Sequence, residues 1–369
     1  MASSYLPDEI LHNILTRLPS KALLQSRCVS KHWNRLISEP FFMNSRSRRK
    51  LLLSTSRLDL HLIDHDTDNV PVITDDMAHS TVNFRPLFGG EKGGEHITIA
   101  GTFNGIVLLV LHDPLKAADM ILYNPLTRAL TNVPDPTYPF NNDASSYAFG
   151  FGNDELKIIR IEVHESFDGP NWGTFHVFDL KNSVWSSQEF VPAYDFYNDM
   201  AGVFINGFLY WVAFRNFDKV ILALDVKKMV FSTLDLPHGC DLMTNFLLRN
   251  ECNTLWMICR SFIGNNFDVW VMKDLKGVEN SWSKACSLTC NLEDDCLCFG
   301  FQYSSCIYIL DQGRFLMMDG HGRLFIYDTL KGPRGTRIGL KDDLLNYRHQ
   351  VHGIEYVESL VSPSDILGF

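Results

Sequence analysis

A chain of 369 residues, 46% apolar and 12% aromatic, has the composition of a folded globular protein, with room for a small module plus one large domain or two medium ones. Its net charge of −10 is uneven: the first fifty residues hold nine Lys or Arg against three Asp or Glu, leaving −16 for the other 319. So acidic a body argues against general nucleic-acid binding through phosphate neutralisation, and the longest purely aliphatic run, Ile106 to Leu111, is far too short to span a bilayer.

The first predicted elements are short helices. Pro7 suits a first helical position, and Asp8 and Glu9 follow in the first turn, where the positive end of the dipole favours them. Ile10, Leu11, Ile14, Leu15 and Leu18 recur at helical spacing and cover an arc of roughly 140° at about 100° per residue. Pro19 ends that helix and Ser20 opens a second, carrying Leu23, Leu24 and Cys28. A third carries Trp33, Leu36 and Ile37, stopped by Pro40. About forty residues is too few for a self-sufficient core without disulfides, metal or a partner. A partner is the simplest expectation.

In this register the chain resembles an F-box, through Leu6 to Ile10, Arg17 to Leu24, Val29 to Trp33, Leu36 with Ile37, and Pro40 with Phe42. The resemblance implies docking onto the SKP-type adaptor of an SCF (SKP–cullin–F-box) ubiquitin ligase, and through it onto cullin and RING subunits. It places most of that contact on Leu6, Pro7, Ile10, Leu11, Ile14, Leu15, Leu18 and Pro19. Periodicity alone reads the same residues equally well as the internal core of a helical hairpin. Residues 1–45 form this module and 46–50 a basic linker. Arg46, Arg48, Arg49 and Lys50 there are either a solvated end of the linker or a nuclear-localisation signal.

From residue 51 to 369 the texture changes to short alternating apolar runs between turn residues. An apolar strand ending in Asp or Asn, then a polar turn, then another strand recurs six times. It appears at Leu62-Ile63-Asp64, Leu122-Tyr123-Asn124, Val177-Phe178-Asp179, Ala223-Leu224-Asp225, Met272-Lys273-Asp274 and Ile326-Tyr327-Asp328. The separations of 60, 55, 46, 49 and 54 residues fall in the range of kelch-type propeller blades of four strands.

A hairpin signal precedes the motif in several units: Asn104-Gly105, Asn206-Gly207, Asn253-Thr254 and Gln312-Gly313 stand 20, 19, 21 and 16 residues before it. Asn-Gly marks a type I′ turn, whose central residues need positive φ. The third unit has Asn153-Asp154 at 26 residues, and the first has no clear counterpart. Val351 through Val361 offers a last strand able to close a ring on the first blade. The stretches Tyr123 to Thr127 and Tyr356 to Val361 resemble the F-box-associated and kelch-repeat domains of plant F-box proteins, which implies a six-unit, kelch-like β-propeller that captures a target protein. The fold class is thus a small all-α F-box followed by an all-β propeller, with an elongated array of β-sandwiches as the fallback.

Other features carry less chemistry. Trp185, Trp211, Trp256, Trp270 and Trp282 read as packing between blades, with a recognition surface as the alternative. Cys286, Cys290, Cys296, Cys298 and Cys306 lie in strand-like runs without paired turn spacing, so no metal is expected. Gly89 to Gly94 lacks the Gly-Lys-Ser/Thr ending of a phosphate loop and reads as a surface loop. The pairs Asp75-Asp76, Asp294-Asp295 and Asp342-Asp343, and His321 between two glycines, read as turns. No nucleophile elbow or His-Glu-x-x-His is present.

The expected function is therefore that of a non-catalytic substrate receptor without cofactor, acting by proximity. The target and the residues that hold it are not identifiable from the sequence. A carbohydrate- or small-ligand-binding propeller acting independently of ubiquitination is the alternative. A propeller oxidoreductase would need clustered His and Tyr, a grouping the 13 histidines do not show. Nine cysteines, an odd number in apolar runs, and no basic-then-apolar N-terminal segment point to cytosol or nucleus.

Overall fold

The computed structural model describes residues 6–39, 42–43, 46, 49–54, 58–64, 82–88, 95–113, 116–134, 145–152, 155–164, 172–190, 194–196, 201–215, 218–237, 245–251, 253–260, 266–272, 282–289, 305–310, 313–318, 324–330, 332–338 and 352–367. Three helices come first: α1 (Asp8–Arg17), α2 (Ser20–Ser26) and α3 (Lys31–Ser38). Six antiparallel sheets follow. The first begins with β1 (Arg49–Ser54), β2 (Asp59–Asp64) and β3 (Val82–Asn83). The second is β4 (His96–Phe103), β5 (Ile106–Asp113), β6 (Lys116–Tyr123) and β7 (Leu130–Asn132). The third is β8 (Ser145–Gly152), β9 (Glu155–His164), β10 (Trp172–Asp179) and β11 (Val184–Phe190).

In the fourth, two short strands, β12 (Asp195–Phe196) and β13 (Val203–Ile205), both pair with β14 (Phe208–Arg215), beside β15 (Asp218–Asp225) and β16 (Val230–Leu234). The fifth is β17 (Asn245–Glu251), β18 (Thr254–Arg260), β19 (Asn266–Met272) and β20 (Trp282–Thr289). The sixth is β21 (Ser305–Ile309), β22 (Arg314–Met318), β23 (Leu324–Asp328) and β24 (Gly332–Ile338). The chain then returns to the first sheet as β25 (His352–Val357) and ends in α4 (Pro363–Ile366).

The leading strands meet around a closed ring: β25 packs on β4, β4 on β8, β8 on β13, β13 on β17, β17 on β21, and β21 on β25. This is the six-bladed propeller that the period near fifty predicts. β25 pairs antiparallel with β1 from Arg49↔Val357 to Ser54↔His352, so the two ends of the chain share one blade. The closure also explains the missing hairpin in the first repeat. Its innermost strand arrives from the far end of the chain, and no turn joins it to β1.

The repeated Asp or Asn falls at the end of the third strand of its blade, and at Asn124, Asp179, Asp225 and Asp328 its side chain builds the turn that follows. Asn124 Oδ1 accepts from the Leu126 and Thr127 amides at 2.9 and 3.2 Å. Asp179 Oδ1 accepts from Lys181 and Asn182, Asp225 Oδ1 from Lys227 and Lys228, and Asp328 Oδ1 from Leu330. Arg128, Ser183 and Met229, each four residues on, take positive φ of 60, 52 and 56°. The short side chain replaces a backbone acceptor, so the motif recurs wherever this turn does. Lys273 and Asp274 of the fifth unit lie outside the described residues. At the Asn-Gly sites, Asn104 and Gly105 have φ of 49 and 77°, and Asn206 and Gly207 have 49 and 86°, as a type I′ turn requires. Asn153, Asp154 and Gln312 lie outside the described residues.

Blades stack because each central strand is buried on both faces. In β5, Val107, Leu109 and Leu111 join the core shared with the first blade, whereas Ile106, Leu108 and Val110 join the core shared with the third. Alternation along a strand sends successive residues to opposite faces. With a hydrophobic blade on either side, the strand reads as one aliphatic run. β14 repeats the arrangement, with Leu209, Trp211 and Ala213 toward one neighbour and Tyr210 and Val212 toward the other.

The tryptophans serve this stacking. Trp211 is fully buried between the third and fourth blades. Trp185 and Trp282 sit on the outer strands of the third and fifth blades. Each donates its indole N–H to a carbonyl just past the outer strand of the preceding blade, Pro134 at 2.8 Å and Asp235 at 2.9 Å. Trp256 and Trp270 pack against the cores on either side of the fifth blade.

Candidate docking surface

Helix α1 carries the residues singled out by the sequence, and the structure divides them. Pro7 precedes the helix, Asp8 and Glu9 fill its first turn, and Arg17 its last. Leu11 and Leu15 point inward and form a core with Leu23 of α2, Leu36 and Ile37 of α3, and Phe42 and Met43. Leu18 packs partly buried against that core. Leu6, Ile10 and Ile14 are outside, 53%, 48% and 45% exposed, and Pro7 and Pro19 are exposed with them. The 140° arc is therefore two stripes. One side is internal, and the other presents aliphatic carbons at i and i+4, adjacent on a helix surface. Leu11 and Leu15 are not part of an accessible contact, because the helices around them already fill their surroundings.

Two local devices hold this arrangement. Ser30 caps α3, its hydroxyl accepting from the Trp33 amide at 3.1 Å. His32 Nε2 meets Asp8 Oδ1 at 2.8 Å and ties α3 to the start of α1. The helical module does not stand alone, since Leu126 and Leu360 of the propeller pack against its core. Part of the apolar surface that the sequence left for a partner is covered by the chain's own body.

The basic stretch at 46–50 also differs from expectation. The Arg46 side chain is buried, only 1% exposed, and both Arg46 and Lys50 turn toward Glu358. Arg49 and Lys50 open β1. Arg46 is thus neither a solvated linker end nor part of an exposed localisation signal. Arg48 lies outside the described residues.

Sequence reasoning missed a polar cluster between the second and third blades. Arg160 and Glu162 of β9 pair at 2.8 Å, and His176 of β10 meets Glu162 at 3.4 Å. The Arg160 guanidinium lies 5.4 Å from the Tyr147 ring centre, and burial holds it below its usual pKa, with Tyr147 and Glu162 opposing. His96 and His112 stack at 4.3 Å beside Tyr147. The signal was available as Arg160, Glu162 and His164 at alternate positions against Ile159, Ile161 and Val163. Arg160, Glu162 and His176 all belong to the third blade and satisfy one another within it, while the His112–Tyr147 ring contact joins the cluster to the second blade, which is a packing role.

Among the described residues, no three His, Cys, Asp or Glu side chains are placed to hold a metal ion, and no helix is long and apolar enough to cross a membrane. Cys259 is buried in the core between the fourth and fifth blades, and burial, with Asp268 adding to it, pushes the Cys286 thiol up. Cys306 lies in β21, whereas Cys290, Cys296, Cys298, His321, Gly89 to Gly94 and the three Asp pairs lie outside the described residues.

A small helical module with one apolar stripe outside is seated on a closed six-bladed ring. The F-box domain family model matches residues 3–44, the F-box associated beta propeller domain model matches residues 53–363, and the chain belongs to this F-box propeller family. An F-box/kelch-repeat protein of Arabidopsis thaliana is 28% identical over 98% of this chain and 96% of its own length. The F-box protein CPR1 of the same plant is 24% identical over 91% of this chain and 85% of its own.

Proposed function

We propose that this chain is the substrate-receptor subunit of an SCF-type ubiquitin ligase, holding a target protein on its propeller while α1 docks a SKP-type adaptor that leads to cullin and RING subunits. The observation that carries this reading is the exposed stripe of Leu6, Pro7, Ile10 and Ile14 on a helix whose opposite stripe is internal. A surface helix that keeps aliphatic residues at i and i+4 in water is suited to burying them against another protein. The family match at residues 3–44 supports the same partner. The role is non-catalytic: the receptor raises the target's effective concentration near the ubiquitin-charged enzyme. Cytosol or nucleus suits the free thiols of Cys28 and Cys286.

The experiment is co-purification of a SKP-type adaptor with the full-length chain and with Ile10→Asp/Ile14→Asp. Both positions are exposed, so the double variant folds and loses the adaptor. Undiminished capture by the double variant overturns the assignment.

A further inference from the structure

Beyond the last strand, the chain does not leave the molecule but runs back across it. Glu358 follows β25 directly and is nearly fully buried, its side chain 4% exposed. Its carboxylate accepts from the Ser20 hydroxyl at the start of α2 through both oxygens. It also meets Lys50 Nζ of β1 at 2.8 Å and Arg46 Nη2 at 3.6 Å. Arg46 Nη2 in turn donates to Ser20 Oγ at 3.3 Å. Two residues on, Leu360 enters the side of the helical core. The same tail is fixed to the ring: Asn124 Nδ2 donates to the carbonyls of Ser359 and Val361 at 3.0 and 2.7 Å, and Ser183 Oγ donates to the Leu367 carbonyl at 2.9 Å.

From this geometry we infer that Glu358 is a positioning residue that locks the adaptor-binding helices onto the propeller at one orientation. One carboxylate faces two cations and a hydroxyl drawn from the helical module, the connecting segment and the first blade. Its removal leaves Arg46 and Lys50 close together with one cation excluded from water, the costly case for a buried charge. Leu360 and Leu126 cover an edge of a core too small to hold by itself. Undocking therefore loosens the helices and leaves the distant blades alone. For a receptor, a fixed angle between adaptor and propeller sets the reach of the charged enzyme to the target. That consequence rests on the receptor reading, whereas the lock itself does not.

The test uses the full-length chain, with Glu358→Lys and the charge exchange Glu358→Lys/Lys50→Glu. Amide hydrogen exchange is followed in α1 to α3 and in β14 and β15, together with tryptic cleavage after Arg46. Glu358→Lys is expected to raise exchange in the helices and cleavage after Arg46 by on the order of a hundredfold, as loss of a buried pair implies. β14 and β15 stay unchanged, and the exchanged pair restores most of the protection. Unaltered exchange in α1 to α3 overturns the inference. So does an equal rise in β14 and β15, which would make Glu358 a ring-closing residue instead. A parallel adaptor pull-down separates the two readings, because Glu358→Lys leaves the outer stripe of α1 intact and is expected to retain the adaptor. A wild-type chain that fails to bind it refutes the receptor reading while the exchange data still decide the lock.

Discussion

Adjacent residues on α1 carry opposite expectations, and the contrast tests the division of that helix. Leu15 is fully buried among Leu11, Leu23, Leu36, Ile37, Phe42 and Met43. Leu15→Ala at such a site costs about 2–5 kcal/mol through lost transfer energy and the cavity left behind. A module of some forty residues has only about 2–6 kcal/mol of stability, at ~0.05–0.15 kcal/mol per residue. Leu15→Ala therefore opens the helices in the free protein, and saturating adaptor at about a hundred times its Kd restores about 2.7 kcal/mol. Ile14, 45% exposed, has about half of its surface left to bury. Ile14→Ala changes the stability of the free chain by less than about 0.5 kcal/mol. On docking it forfeits half of the ~1.5–3 kcal/mol that a fully buried aliphatic contributes, or about three- to twelvefold in affinity. Hydrogen exchange of α1 with and without adaptor, beside a titration of adaptor affinity, reads both quantities. If Ile14→Ala opened α1 as much as Leu15→Ala, or Leu15→Ala weakened binding with α1 exchange unchanged, the division into inner and outer stripes would be wrong.

Further expectations follow from the propeller. Gly105, at φ +77°, lies where a Cβ would meet that of Ser359 at 2.1 Å, whereas Gly207, at +86°, has nothing within 4 Å. Gly105→Ala should cost clearly more than the ~1 kcal/mol of backbone strain set by Gly207→Ala, and equal shifts in unfolding midpoint would count against the tail's position. Trp185→Phe and Trp282→Phe each remove one pin between blades and should cost about 0.5–1.5 kcal/mol in thermal unfolding, similarly at both sites because the geometry repeats. Burial pushes Tyr123 and Tyr210 up to about 12 from 10.0. The folded chain keeps protons that the unfolded chain releases, so their contribution is complete below pH 10 and falls between 10 and about 12. Denaturant unfolding across that range, with tyrosinate absorbance, should show stability declining as pH rises; a flat profile would place these hydroxyls in water.

Much of the architecture was legible because its determinants are local. The Asp or Asn ending a third strand makes its turn with amides two and three residues away, and an Asn-Gly pair sets its own hairpin, so both survive as a period in the sequence. Two-residue alternation and helical spacing likewise announce strands and helices without reference to the rest of the chain. The closing strand was visible as an unmatched strand at the tail, and the first repeat's missing hairpin was its counterpart.

What escaped the sequence is set by contacts between distant residues. Spacing placed Ile10, Leu11, Ile14 and Leu15 on one apolar arc, but only packing against α2, α3 and Phe42 decided which two turn inward. The fate of Arg46 depends on a carboxylate more than 300 positions along the chain, and Ser20 meets the same group across 338 residues. Arg160 and Glu162 look like ordinary solvent-facing strand residues until the second blade covers them. The sequence by itself determined six blades, their turns and a helical module with surplus apolar surface. The tertiary structure decided how much of that surplus the protein's own body covers and how much stays outside, because burial depends on what the ring brings alongside each face.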